Sequence, residues 1–399
     1  MLIEIHMIQN HSPSNLNRDD LGAPKTCVFG GSTRARISSQ CLKRSIRRGM
    51  EFAKAMEKDG GIRTRRLITL LAEQAHGSAP APADLIKLVT DAFAKGGVKK
   101  EPTKDDPDAT NILLFIPEST LSKMADAVKA AKQQKTGADV LCEQLTELLG
   151  EKAAVPDIAL CGRMTELDSD GLFAKVDFHV EAALSVAHAI STHKVINEVD
   201  YFTAVDDKTK GTGSAHLGEA QFASACFYKY FSLDWNQLVE NLNGNIPLAR
   251  STVMHFLRGA SLSTPSGKQK GSAAFNLPDG ILVEVKDKQR TPISYANAFA
   301  DPVNPKAERG LIGQSIACLG HYAHGINEAY GICANRFWFS PDCSVEKSYR
   351  LTWVDKTKKE HEQEQPVVEA GNALGNFEEF VKAIMAKVDA GSKVTGVKA

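Results

Sequence analysis

From Leu21 to Met50 the chain carries Lys25, Arg34, Arg36, Lys43, Arg44, Arg47 and Arg48 and not one carboxylate. Guanidinium and ammonium groups at that density suit the oxygens of a phosphate backbone, which they hold by charge-assisted hydrogen bonds. The whole chain is neutral, with 48 basic and 48 acidic residues, so the run is not the product of a general basic bias. Nucleic acid is the first partner this implies. A second acid-free region, Asn241 to Pro278, adds Arg250, Arg258, Lys268 and Lys270. Its small, basic run Thr264–Ser272 reads either as an ordinary surface loop or as a second phosphate contact.

The elements that must position these cations are legible nearby. Phe29-Gly30-Gly31-Ser32 predicts a tight turn, and Thr33–Ile37 a short strand with Arg34 and Arg36 on one face. Ser38 and Ser39 can cap a helix starting near Gln40, whose free N–H groups would face an anion. Gln40, Lys43, Arg44 and Arg47 then fall at i, i+3, i+4 and i+7 along one side, with Leu42, Ile46, Met50 and Ala53 along another. The same pattern also describes a solvated face on a core helix. Two runs further on have a pattern of their own. Ile158–Met164 reads as a strand ending at Arg163 and Met164. Tyr201–Val205, the tip Asp206–Ser214 and a strand centred on Phe222–Phe231 read as a hairpin, with His216 and Leu217 near its base.

Leu2–Gln9 alternates as a half-buried strand, with Ile3, Ile5 and Met7 inward and Glu4 and His6 outward. A helical insertion follows the basic helix, with helical spacing over Arg63–Ala75, Ala83–Ala94, Glu118–Lys132 and Ala138–Leu149. Glu181–Val195 fits either a helix or a strand, its second half leaning to strand. Later come a strand at Ile281–Lys286, a helix at Gly310–Glu328, strands at Arg336–Phe339 and Tyr349–Val354, a charged linker at Asp355–Gln365 and a last helix at Ala373–Val388.

Other chemistry finds less support. There is no G-x-x-x-x-G-K-[ST] phosphate loop and no G-x-G-x-x-G after a strand. His321 and His324 stand one helical turn apart without a carboxylate or thiol to complete a metal set, so no metal or other cofactor is expected. His6, His11, His188 and His193 could each act as general base in RNA cleavage, but no coupled acid accompanies them. Asp19 and Asp20 are expected to hold Arg18 in place. Eight scattered cysteines without a C-x-x-C pair predict reduced thiols. Charged residues at 24% and apolar residues at 43% describe a soluble globular chain with no membrane span, expected in the cytoplasm.

The run His11-Ser12-Pro13-Ser14-Asn15-Leu16-Asn17-Arg18-Asp19-Asp20, with Phe29-Gly30-Gly31 and Arg36–Arg44, closely resembles the start of the CasC-type backbone subunits of type I-E CRISPR Cascade complexes, in the RAMP superfamily. Asp200–Asp207 with Gly213–Gly218 is a second match. The resemblance covers about residues 1–60 and 155–235, is patchier at Ser294–Phe299, and is weak over the helical insertion and the tail. It implies an α+β, hand-like subunit with an RRM-like (ferredoxin-like) palm in residues 1–60 and 156–399. A helical finger would occupy 61–155, a protruding thumb hairpin about 193–225, and the basic loop about 261–276. It implies a non-catalytic protein that lines up with further copies of itself along CRISPR RNA, beside other Cascade subunits, and presents the guide to a target DNA strand. Arg18, Ser38, Gln40, Lys43 and Arg47 would hold the guide backbone, and Met164 and Phe202 would wedge beside a displaced nucleotide. Arg47 stands where that pattern has lysine, and the tail after Gln365 is longer than the pattern expects. Arg34, Arg36, Arg44, Arg163, His216, Leu217, Lys268 and Lys270 complete the candidate RNA contacts. The competing reading is a metal-independent CRISPR-RNA-processing endoribonuclease on a related fold.

Overall fold

The alternation at the start of the chain does produce a strand, and in the computed structural model it runs further than expected, over Leu2–Ser14. The structure describes residues 1–177, 179–204, 216–288, 290–306, 310–341, 348–354, 360–366 and 375–394. They form two units. The first comprises Met1–Phe52, Ser185–Asp234 and the chain from Val253; the second comprises Ala53–Leu184 and Trp235–Thr252. The division expected at residues 60 and 155 thus shifts, because Pro156–Cys161 and Trp235–Asn241 pack with the helical unit. Asn241 Nδ2 donates to the carbonyls of Ala159 and Glu181 at 2.9 and 2.8 Å.

The first unit is built on an antiparallel sheet. Leu2–Ser14 lies between Gly280–Lys286 and the long strand His216–Asp234, with Ile5 opposite Val283 on one edge and Phe231 on the other. Beyond the long strand come Ala189–Ser191, then Ser32–Ile37, then Thr26–Phe29; Asn335–Phe339 closes the opposite edge. Leu184–Val186 and Glu198–Ala204 also pair with the long strand. The ambiguous segment after Glu181 is therefore two short strands. One sheet face carries Ile8, Tyr228, Tyr230 and Leu282 beneath Ile316, Leu319 and Ala323 of the helix Gly310–Tyr330. On the other face Phe231 meets Phe256 edge-on at 5.7 Å, and Leu42 of the helix Ser39–Arg47 joins Ala35, Ile37, Ala225 and Phe227. Full burial of side chains this size is worth roughly 1.5–3 kcal/mol each. The helix Phe377–Val394 packs on Asn335–Phe339, its Phe380 ring 5.7 Å from Phe339.

Because both sheet faces are covered, Glu4 and His6, expected at solvent, are fully buried. They form a network. Glu4 accepts from Lys286 and from the Tyr230 hydroxyl, and Glu284 accepts from Arg336 Nε at 2.7 Å and from the Tyr295 hydroxyl at 2.9 Å. The His6 ring stacks 4.4 Å from Tyr295, with Nδ1 2.9 Å from the Tyr228 hydroxyl and Nε2 3.8 Å from Glu284.

The second unit is mostly helical, with Leu67–His76, Ala83–Lys95, Glu118–Gln134 and Ala138–Gly150 around a core that includes Leu71, Phe93, Met124, Leu145 and Phe173. Arg63 is not helical: Gly61–Thr64 pairs with Leu114–Pro117 as a small two-stranded sheet. The strand expected at Ile158–Met164 is instead the short helix Pro156–Cys161. It starts on Pro156, a favoured first helical residue, and stops at Gly162, whose φ of +77° no other residue adopts easily. Glu360–Pro366 pairs with Ser348–Val354, so part of the expected charged linker is strand; residues 355–359 lie outside the described residues. No described helix is long and apolar enough to cross a membrane.

Burial holds His6 at a pKa of about 4, and burial together with the Lys229 charge holds His11 at about 3. In the unfolded chain both would protonate near 6.5. Protons are therefore taken up by the unfolded state first, and stability falls as pH drops from about 6.5 towards about 4. Urea midpoints measured across that window are expected to decline for the wild type and to decline less for His6→Gln combined with His11→Gln; an equal slope in both proteins would remove these histidines as the cause.

Candidate nucleic-acid interface

Local chemistry sets the basic helix. Gly30 and Gly31, at φ +56° and +70°, turn the chain between Thr26–Phe29 and Ser32–Ile37. The helix Ser39–Arg47 then begins at Ser38, whose Oγ accepts the Cys41 N–H at 3.3 Å. The first turn holds no acidic residue, and Arg44 and Arg47 stand in the last turn. Leu42 and Ile46 face the core; Gln40 and Arg44 are exposed and Lys43 and Arg47 half-buried. Met50 and Ala53, expected on the core side, are exposed. The helix ends at Arg47 and Gly49 breaks it, so Phe52 takes the buried place.

The loop before the turn is tied to this helix. Asn17 Oδ1 accepts the Ser38 N–H at 2.9 Å, and Asn15 Nδ2 donates to the carbonyls of Gly22 and Gln221, each at 2.9 Å. Asp19, expected to pair with Arg18, caps its own loop instead. Its Oδ1 accepts the N–H groups of Leu21 and Ala23 at 3.0 and 2.9 Å, which leaves Arg18 exposed to solvent. From the other acid-free region, Gly267 lies so close that a Cβ there would stand 2.4 Å from the Leu16 carbonyl oxygen. The expected loop includes one helical turn, Gln269–Ser272, pinned from within. Gln269 donates to the Pro265 carbonyl at 3.1 Å and accepts the Ala274 N–H at 2.8 Å. Lys268 and Lys270 remain exposed.

The two acid-free regions thereby share one open cleft of about 510 Å³, lined among others by Asn17, Arg18, Asp20, Arg44, Ser45 and Gly267. Arg18 and Arg44 stand there with the carboxylates of Asp19 and Asp20, amide and hydroxyl groups and exposed main chain, a polar lining that suits a phosphate and sugar backbone met by the two arginines rather than a deep apolar ligand. Among the described residues no group of three or more His, Cys, Asp or Glu is arranged to hold a metal.

Other expected contacts lie elsewhere or inside. Arg34 is fully buried. Nη1 donates to the carbonyls of Ser191 and Thr192, both at 3.0 Å, and Nη2 to Phe299 and Ala300 at 2.8 and 3.1 Å. It is a main-chain clamp rather than a phosphate contact. Four buried carbonyls, two at the end of the strand Ala189–Ser191 and two at the end of the turn Ala296–Phe299, converge on it, and a planar guanidinium with its fork of donors can serve all four at once. Arg36 is half-buried, bonding the Thr26 carbonyl through Nε and lying 3.3 Å from His188 Nδ1. Arg163 is buried in the helical unit, donating to the Phe115 carbonyl at 3.3 Å, with burial lowering its pKa to about 10. It too is a structural residue. Met164, beside it in sequence, is 79% exposed.

The hairpin pairs Glu198–Ala204 with the start of the long strand. Phe202 is exposed and stands opposite Gly218, where a Cβ would come within 2.3 Å of its ring. The glycine leaves room for the ring to lie across the hairpin. The tip Asp206–Ser214 and the side chains of His216 and Leu217 lie outside the described residues. Sequence pattern passed over Tyr201, which is exposed beside Phe202 and, one residue away in a strand, belongs to the opposite face. It also passed over Asn15, Asn17 and Gln269 as positioning residues. The signal for them was the presence of amides in loops dense with unpaired main chain.

The chain resembles known proteins over nearly its whole length. A family model described as CT1975-like protein matches residues 3–364. A chain of a solved "CRISPR RNA-guided surveillance complex, pre-nicking" is similar over 97% of this chain and 100% of its own, with 29% identity and a TM-score of 0.75. A chain of a second "CRISPR RNA-guided surveillance complex" shares the fold at 23% identity and a TM-score of 0.69, with the same coverage. No curated protein matches the sequence.

If Arg34 is a clamp, Arg34→Leu and Arg34→Lys both leave buried carbonyls unpaired and lower stability by roughly 3 kcal/mol or more. Urea denaturation reads this directly, and an unchanged midpoint in both variants would return Arg34 to the candidate surface contacts.

Proposed function

The chain belongs to the CT1975-like protein family, and from that premise we propose that it is the CRISPR-RNA-binding backbone subunit of a Cascade-type surveillance complex. The observation that carries the reading is the shared cleft, where Arg18, Arg44 and the Ser266–Gly267 main chain meet beside a capped helix bearing Lys43 and Arg47. These groups recognise phosphate and sugar, and backbone contacts hold a guide of any sequence. Specificity is left to base pairing with the target strand.

The finer anatomy fits the same role. The sheet order Gly280–Lys286, Leu2–Ser14, His216–Asp234, Ala189–Ser191 supports an RRM-like palm; two of its crossovers contain the helices Ser39–Arg47 and Ile246–Leu262. The helical unit is the finger and the Glu198–Ala204 hairpin the thumb; Phe202 on the hairpin and Met164 on the helical unit each wedge beside a displaced nucleotide, splaying the guide into short segments. Further copies of the chain follow one another along the guide in the cytoplasm, next to other Cascade subunits, and present it to a DNA strand. We assign the subunit no catalysis. His6, His11 and His193, candidate general bases, are buried, and the exposed His188 is engaged with Arg36.

In a titration with single-stranded RNA, Lys43→Ala combined with Arg47→Ala should weaken binding and make the slope of log K against log salt shallower by about 1.4, or about 0.7 for each phosphate no longer neutralised. Unchanged affinity and slope would take the helix out of the RNA site. Size-exclusion chromatography of the chain co-expressed with a CRISPR array and neighbouring genes should yield a large particle carrying guide-length RNA. Purified protein should leave repeat RNA intact, and site-specific cleavage abolished by His188→Ala would favour the ribonuclease reading.

A further inference from the structure

The basic loop does not end at its lysines. After the pinned turn Gln269–Ser272 the chain runs from Ala273 to Pro278 without regular secondary structure and with alternating burial: Ala274 and Pro278 are buried, Phe275 is 66% exposed and Leu277 59% exposed. Single exposed apolar residues are ordinary on a protein surface. This pair differs because the main chain beneath it is immobilised on both sides. Ala274 N–H is held by Gln269 at 2.8 Å. Asn276 Oδ1 accepts the N–H and hydroxyl of Ser12 at 3.1 and 3.2 Å, and its carbonyl accepts from Gln9. Asp279 then continues the tether, donating its N–H to the Ile8 carbonyl at 2.8 Å and accepting the Asn10 N–H at 2.7 Å.

Phe275 thus stands out to water on a tethered main chain, between Ala274, held by Gln269, and Asn276 and Asp279, whose side chains bond the first strand. The same loop supplies Lys268 and Lys270, both exposed, and its Ser266 and Gly267 line the cleft that holds Arg18 and Arg44. We propose that Phe275, flanked by Leu277, is a base-stacking site for single-stranded RNA whose phosphates lie along the Arg18–Arg44 cleft and the Lys268–Lys270 loop. This rests on the RNA-binding reading above and adds a contact to it. Stacking on a pre-ordered ring loses little conformational freedom on binding, and every base offers a π-face, so the contact strengthens binding without reading sequence. The nearby cations make RNA the favoured occupant over an apolar protein segment, because a strand that places phosphates on lysines must put its bases somewhere close.

The test uses the full chain with a fluorescein-labelled polyuridine oligonucleotide, and with a second RNA carrying 2-aminopurine, whose emission is quenched by stacking. Phe275→Ala should weaken binding about tenfold with the salt slope unchanged, since every phosphate keeps its cation. It should also relieve 2-aminopurine quenching, and Phe275→Trp should restore both. Lys268→Ala with Lys270→Ala should instead flatten the salt slope. If the wild type binds and Phe275→Ala binds equally well with equal quenching, the stacking site is wrong while the RNA reading stands. Failure of the wild type itself to bind would overturn that reading. If Phe275→Ala leaves binding to the short oligonucleotide intact but reduces the size of the particle on long RNA, the residue belongs to a contact between copies of the chain, and the stacking site is again refuted.

Discussion

The first unit depends on the double pairing of a single strand. Leu2–Ser14 is hydrogen-bonded to the long strand on one edge and to Gly280–Lys286 on the other, so Leu2 lies opposite both Asp234 and Lys286. Closing loops of such length costs only slightly more than closing shorter ones, since the entropy grows with the logarithm of loop length. That tolerance lets a whole helical unit sit inside the connection. Once the strand is enclosed, each polar side chain on it must find a partner indoors. Glu4 does so through Lys286 and Tyr230; Arg34, buried on the strand Ser32–Ile37 further along the sheet, does the same by satisfying four carbonyls. The alternative, an unpaired buried charge, would cost several kcal/mol.

Enclosure also decides where a nucleic acid can be met. The sheet face bearing His6, Tyr228 and Tyr230 has an aromatic set suited to stacking bases, yet its tyrosines and Tyr295 from the chain above it are stacked on the His6 ring, within the core under the helix Gly310–Tyr330. In the proposed function, recognition falls to the periphery, to a capped helix, two loops and a hairpin. Contacts at such places are made by main chain, amides and flexible cations, which suit phosphate and sugar better than base edges. A surface of that kind is indifferent to sequence, as a guide-holding subunit must be.

Much of the outline was legible from local pattern. Alternation and helical spacing located the first strand, the Gly310–Tyr330 helix and the insertion helices, because burial on one face imposes those periods. The helix cap at Ser38 and the glycine turn before it followed from residue chemistry that acts within a few positions. Ile158–Met164 misled because a short apolar run is equally a strand or a buried helix, and the proline at Pro156, which starts the helix, lay just outside that run. Glu360–Pro366 misled because a charged segment can pair through its backbone alone. Met50 misled because the apolar spacing was extended across Gly49, where the helix stops.

What the sequence determined by itself is the presence of two acid-free basic regions, the capped helix that carries one of them, and the family motifs around Asn15 and Phe202. These rest on composition and on interactions a few residues long. Only the tertiary structure decided which cations reach solvent. Arg34 and Arg44 look alike in the sequence, but one lies against four carbonyls of distant segments and the other lines an open cleft. The same structure brought Gly267 against Leu16, joined the two basic regions, and turned Phe275 outward. Burial and proximity between residues hundreds of positions apart depend on how the sheet is ordered, and no local pattern encodes that order.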